Sequence, residues 1–175
     1  MAEKPFIYLD STVILDVVRR RRRASTIILE IVRQGRLRAC TSEFTMLEVL
    51  ADMQESAYVL KALGRGWTIA EIIRRRAQRK LSPDDLEEAY ESVYNGYIIP
   101  YGKHVEVYYL TSEGWRLARE LMTRINLSAN DAIHVATAID NECDFFITSD
   151  TDLIRNIKDE INACTPEELA NKLLS

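Results

Sequence analysis

Four acidic residues, each in its own short motif, carry the chemistry that this sequence can do. They are Asp10 in Phe6-Ile7-Tyr8-Leu9-Asp10-Ser11-Thr12, Glu48 in Met46-Leu47-Glu48-Val49-Leu50, Asp131 in Ser128-Ala129-Asn130-Asp131-Ala132-Ile133-His134, and Asp150 in Phe145-Phe146-Ile147-Thr148-Ser149-Asp150. Asp10 and Asp150 end short apolar runs of strand type, while Glu48 and Asp131 lie in or at the start of segments with helical spacing. In an α/β domain, strand ends and helix starts meet along one edge of the sheet, where such folds bind ligands. Carboxylates gathered there repel one another unless a cation sits between them. The pattern therefore points to a divalent metal site and to phosphate chemistry.

Each motif also has a plainer explanation. Asp10 and Asp131 can simply cap the helices that follow them, and Ser128-x-x-Asp131 has the spacing of a capping box. Asp150 and Asp152 form an Asp-x-Asp pair that suits a metal clamp, although a turn rich in Ser, Thr and Asp gives the same letters. Glu48 is the most telling, because a solvated glutamate is poorly explained among Met46, Leu47, Val49 and Leu50. His134, one turn after Asp131, can face the same pocket and is read as a packing residue or a hydrogen-bonded support.

The surrounding pattern supplies elements to position these groups. Strand-like runs are expected at 6–9, 37–41, 104–110, 144–148 and 161–164. Helices are expected at about 12–21, from Ser25 or Thr26 to Gln34 with Gly35 as the stop, after Ser42 or Thr41, from about Ser112 to Ile125, after Ser128, at 152–157, and from Pro166. Strands alternating with helices indicate a parallel sheet covered on both faces. Between about 55 and 104 the pattern becomes helical only. A basic helix at about 69–80 is followed by Ser82-Pro83-Asp84-Asp85, a strong helix start, and Asn95-Gly96 reads as that helix's end. This region is expected to be a helical hairpin inserted into the α/β frame, and residues 1–175 are read as one domain.

Composition narrows the classes further. The chain is 47% hydrophobic, and no apolar stretch approaches the roughly 20 residues needed to span a bilayer. Met1 to Pro5 does not resemble a signal peptide. Cys40, Cys143 and Cys164 are odd in number, widely spaced and set in apolar segments, so they are read as reduced and buried. A cytoplasmic location is expected. The net charge of −4 argues against a protein that coats nucleic acid generally. Local basic clusters remain, at Arg74 to Lys80 and in the unbroken run Arg19, Arg20, Arg21, Arg22 and Arg23. Five adjacent guanidiniums repel one another, and phosphates would relieve that; the run is therefore a candidate RNA-binding segment.

Taken together, the four motifs resemble the PIN-domain ribonucleases, and most closely the VapC-like toxins. The resemblance runs over about 6–56 and 104–170. It rests on Leu9-Asp10-Ser11-Thr12, Glu48 on a helix after a strand, Ser128-x-x-Asp131-Ala132 with Ala136 and Ala138 behind it, and Thr148-Ser149-Asp150. The trailing Thr165-Pro166-Glu167-Glu168 fits as well. Thr12 stands where the family often has Asn, and the gap from Glu48 to Asp131 is long for a compact member.

The resemblance implies a three-layer α/β/α fold with a parallel sheet of about five strands. It implies a metal-dependent endoribonuclease, the toxin of a toxin–antitoxin pair, acting as a homodimer with an antitoxin partner and without a membrane. Asp10, Glu48, Asp131 and Asp150 would hold one or two Mg²⁺ or Mn²⁺ ions, with Asp152 as a further ligand. Thr12, Thr148 and His134 would support them from behind. Two other readings compete. One is a catalytically silent PIN module that binds RNA or protein. The other is a haloacid-dehalogenase-type phosphatase, which needs a second Asp where this chain has Thr12.

Overall fold

Short strands of two to five residues build the sheet. The computed structural model describes residues 4–174, so most of the N-terminal segment read for a signal peptide falls outside the described residues. The strands are β1 (Phe6–Leu9), β2 (Arg38–Ser42), β3 (Glu106–Tyr108), β4 (Phe145–Ile147) and β5 (Ala163–Cys164). All pair in parallel, in the order β3-β2-β1-β4-β5. Tyr8 stands opposite Cys40 on one side and Phe146 on the other. The expected five-strand parallel sheet with helices on both faces is what forms.

Alternation along β1 divides the core. Ile7 and Leu9 pack with α1 (Ser11–Val18), α2 (Arg23–Arg33) and α10 (Pro166–Leu174). Phe6 and Tyr8 pack on the opposite face with α7 (Ser112–Arg124), α8 (Ala129–Asp140) and α9 (Thr151–Ile157). Ile7, Tyr8, Leu9, Ile14, Ile28 and Phe146 are fully buried, and each such side chain contributes about 1.5–3 kcal/mol. Gly35, at φ +70°, ends α2 as expected. Cys40, Cys143 and Cys164 are buried and unpaired.

The 55–104 region departs from the expected hairpin in three ways. α3 (Glu43–Gly64) runs unbroken across the expected boundary at 55, capped by Ser42, whose hydroxyl accepts from the Thr45 N–H at 3.2 Å. α4 (Ile69–Arg75) is shorter than the basic helix read from sequence and tightens into a 3₁₀ turn over Arg76–Gln78. α5 (Pro83–Val93) begins with the expected Ser82–Asp85 capping box. It does not stop at Asn95-Gly96. A π-helical turn over Tyr94–Ile98 carries the chain into α6 (Ile99–Tyr101).

The reason is tertiary. Tyr97 and Tyr101 are buried against the same cluster as α1 and α2, and the Tyr101 hydroxyl donates to Glu30 Oε1 at 2.9 Å. Gly96 lets this turn approach α1 closely; a Cβ there would lie 3.3 Å from the Val18 Cα. The glycine serves close approach rather than termination. The sheet's own third strand is likewise shorter than the 104–110 run suggested.

One buried acid that the sequence reading passed over ties α1 to its neighbours. Asp16 is 7% exposed, and its Oδ2 accepts from Ser149 Oγ at 2.7 Å and Ser25 Oγ at 3.3 Å, with Arg22 Nε at 3.4 Å. Its single oxygen thus joins α1, α2 and the loop after β4.

Two stability effects follow from these contacts. Gly96→Leu should lower unfolding stability by about 1–3 kcal/mol through overpacking against α1; an unchanged urea midpoint would refute the close-approach role. Asp16→Ala should cost about 1–3 kcal/mol by leaving two hydroxyls without their acceptor, and thermal unfolding at the wild-type midpoint would count against it.

Candidate metal centre

β1 lies at the centre of the sheet, and the chain winds outward from it in both directions. β2 and β3 build one half; β4 and β5 build the other. Between β1 and β4 the strand order reverses, and a crevice opens beyond their carboxyl ends. Asp10 emerges immediately after β1, and Thr148, Ser149 and Asp150 after β4. Glu48 comes from the second turn of α3 and Asp131 from the first turn of α8. All four predicted acids therefore reach the same edge.

Asp10 is the most firmly held. It is 5% exposed, and its N–H donates to the Ile147 carbonyl at 3.0 Å. Its Oδ2 accepts from Thr12 Oγ1 and Thr148 Oγ1, both at 2.7 Å. The two hydroxyls are themselves 3.1 Å apart, and Thr12 Oγ1 also accepts from the Ser149 N–H. Among the described residues, no Lys or Arg pairs with this buried carboxylate. A buried charge whose hydrogen bonds come from hydroxyls, beside an imidazole already engaged by Glu48, is costly and favours a cation.

Glu48 is half-buried and faces Asp10 across the crevice. The His134 Nε2 lies 2.7 Å from its Oε2. Burial alone would raise the Glu48 pKa, but hydrogen bonds from His134, Ser11 and Asn130 and the imidazole's charge outweigh it and leave the carboxyl below its ordinary value. Burial alone would lower the His134 pKa; the Glu48 hydrogen bond and the charges of Asp10, Glu48 and Asp131 reverse this and raise it. The other ring nitrogen, Nδ1, is 2.8 Å from the Tyr8 hydroxyl, with Ser42 and Thr45 hydroxyls at 3.4 Å. Burial pushes the Tyr8 phenol well above its ordinary value, so it stays neutral. Both imidazole nitrogens are thus spoken for, and His134 locks the orientation of Glu48.

Ligand atoms of Asp10, Glu48 and His134 all lie within 4.8 Å of one another. The other predicted acids stand at the rim. Asp131 is partly exposed, and its Oδ2 accepts from Ser128 Oγ at 2.6 Å in the cap of α8. Asp150 is exposed and caps α9, accepting from the N–H groups of Asp152 and Leu153 at 2.9 and 3.0 Å. Asp131 thus takes part in the cap of α8 as the simpler reading had it and Asp150 caps α9, whereas Asp10 at the start of α1 makes no side-chain cap hydrogen bond. Asp152 points to solvent and pairs with Arg155.

The arginine run does not form one surface. Arg19 pairs with Asp52 and donates to Ser56 on α3, and Arg22 pairs with Glu167 and Asp16. Arg20, Arg21 and Arg23 are exposed. The sequence reading missed Tyr8, Ser11 and Asn130 as partners of this site. Ser11 and Asn130 each lie next to a singled-out acid, and that adjacency was the signal available. Nothing local marks Tyr8, whose alternation merely places it under α8.

A model of the PIN domain matches residues 7–159. No curated protein matches the chain in sequence. Solved structures share the fold. PAE2754 from Pyrobaculum aerophilum superposes with a TM-score of 0.60 at 14% identity, covering 98% of each chain. VapBC2 from Rickettsia felis, bound to a DNA fragment from their promoter, gives 0.57 at 10% identity over 91% of this chain and 98% of that one. A toxin–antitoxin complex from Klebsiella pneumoniae gives 0.53 at 14% identity, over 91% and 97%. No helix among the described residues is long and apolar enough to cross a membrane. The family model reaches from Ile7 in β1 past β4 and takes in all four acids, and the chain belongs to the PIN domain family, whose members are in general nucleases.

Proposed function

We propose that this chain is a metal-dependent endoribonuclease that hydrolyses RNA phosphodiester bonds, and that it is the VapC-like toxin of a toxin–antitoxin pair. The observation that carries the catalytic reading is the pairing of Asp10 and Glu48. Two carboxylates, one of them buried, face each other at the sheet's switch point, and among the described residues no Lys or Arg pairs with either. Oxygen donors of this kind fit Mg²⁺ or Mn²⁺.

In this reading Asp10 and Glu48 are the inner ligands. Asp131 and Asp150 complete the acidic rim, and Asp152, turned toward Arg155, is left out of the set. When bound, such a cation supplies Lewis acidity: it lowers the pKa of water and stabilises charge developing at phosphorus. The protein's own work is positional. Thr12 and Thr148 fix the Asp10 carboxylate through Oδ2. Tyr8 holds His134, and His134 holds Glu48. Such outer hydrogen bonds keep ligands preorganised. An antitoxin partner is supported by the toxin–antitoxin complex that shares the fold, and the family resemblance implies a homodimer in the cytoplasm.

Cleavage of a pooled single-stranded RNA set with Mg²⁺ or Mn²⁺ should occur with the purified chain and vanish with EDTA or in Asp10→Asn. Persistence in either control would remove the site assignment. Asp131→Asn should abolish cleavage with the circular dichroism spectrum unchanged; a fully active variant would exclude Asp131 from the site. Thr148→Val should weaken Mn²⁺ binding by about 10–100-fold, and equal affinity by titration calorimetry would show that its hydroxyl does not support the ligand.

A further inference from the structure

A second cleft, lined by the opposite charge, opens off the acidic one. Glu48 and Ala51 line both the depression around His134 and a groove that continues past Asp52 and Glu55 to Arg76 and Arg79. Arg79 in turn lines a cavity of about 230 Å³ between α3 and the α4 segment, with Lys61, Arg65, Trp67, Arg75 and Lys80. The path follows α3 from Glu48 to its C-terminal end at Gly64, roughly 20–25 Å at the helical rise per residue.

The cavity's cations differ in how they are engaged. Lys61 pairs with Asp85, and Arg79 pairs with Glu55. The Arg75 guanidinium lies 4.6 Å above the Trp67 ring. Among the described residues, Arg65 and Lys80 make no ion pair and both are exposed. Cations near the end of α3 offset its dipole, which accounts for Lys61 and Arg65. It does not account for Arg75, Arg79 and Lys80, which come from a different segment and converge on the same space. A small apolar cluster of Tyr58, Ala62 and Ile72, with Trp67 against it, holds the two walls together.

We propose that this cavity is a subsite for single-stranded RNA, holding a phosphate and an unpaired base of a strand whose scissile bond lies at the acidic site. The proposal rests on the nuclease reading above. Guanidinium and ammonium groups bind phosphate, and a guanidinium stacked on an indole presents a flat cationic surface on which a base can stack. The shared groove walls at Glu48 and Arg79 let one strand occupy both places. An acidic polypeptide would satisfy the cations but would leave the Trp67–Arg75 stack unused.

The test is binding in EDTA, where cleavage does not intervene. Arg65→Ala/Lys80→Ala removes two exposed charges that make no ion pair. Anisotropy with a labelled single-stranded RNA of about a dozen nucleotides should show affinity weakened by about tenfold. The slope of log affinity against log salt should flatten by about 0.7, one phosphate contact at the single-strand value. In a Trp115→Phe background, RNA should also quench the remaining Trp67 emission. Unchanged affinity and slope in the double variant would overturn the subsite. So would AMP binding as tightly as the oligonucleotide, or polyglutamate competing as well as RNA of equal charge. Failure of the nuclease reading shows separately, as no metal-dependent cleavage by the unsubstituted chain.

Discussion

A buried carboxylate with no Lys or Arg partner among the described residues sets the terms for the rest of this molecule. Asp10 is anchored through its backbone to β4 and through Oδ2 to two threonine hydroxyls. Hydroxyls orient a charge but do not neutralise it, so the site keeps a standing demand for a cation. The sheet topology makes this placement possible. Because the chain winds outward from β1 in both directions, the ends of β1 and β4 are neighbours, and Asp10 and Thr148 meet although far apart in sequence. The demand is local and the means of concentrating it is global.

A chain of hydrogen bonds runs from the core to the second carboxylate. Tyr8 is fully buried in β1, stacked on Phe146 with ring centroids 5.2 Å apart. Its hydroxyl meets His134, and His134 meets Glu48. The Glu48 carboxylate on α3 is thereby referenced to the rigid sheet rather than to its own helix. Asp16 plays a matching part outside the crevice, joining α1 and α2 to the loop that carries Thr148 and Asp150. Catalytic geometry is sensitive to small displacements, which gives such cross-links a functional meaning beyond stability.

Under the subsite proposal, the helical segment after Glu48 belongs to the site as much as to the periphery. α3 leaves the crevice with Glu48 and carries Asp52, Glu55, Lys61 and Arg65 away from it in order. α4 and the turn after it return Arg75, Arg76 and Arg79 to the same groove. An acidic end and a basic end on one helix suit a substrate that is itself a line of charges. The later half of the segment turns inward instead, and Tyr97 and Tyr101 become core. An extension that looks like an addition in sequence thus divides into a part that packs and a part that lines a cleft.

Periodicity and capping chemistry are local, and they specified much of this protein from sequence. The five strands, the caps at Ser42, Ser82 and Ser128, and the arrival of Asp10, Glu48, Asp131 and Asp150 at one edge follow from residue type and spacing. Strand ends and helix starts share an edge in any parallel α/β sheet, so the motifs suffice to gather the acids there. Tertiary structure alone decided the rest. Asn95-Gly96 reads as a stop, yet the helix continues, because burying Tyr97 and Tyr101 outweighs the local preference and Gly96 must clear Val18. The run Arg19 to Arg23 reads as one basic surface, yet Arg19 and Arg22 are drawn into internal ion pairs. Which acids face each other and what holds His134 depend on contacts between residues distant in sequence. No local pattern encodes such contacts; they exist only once the layers have packed.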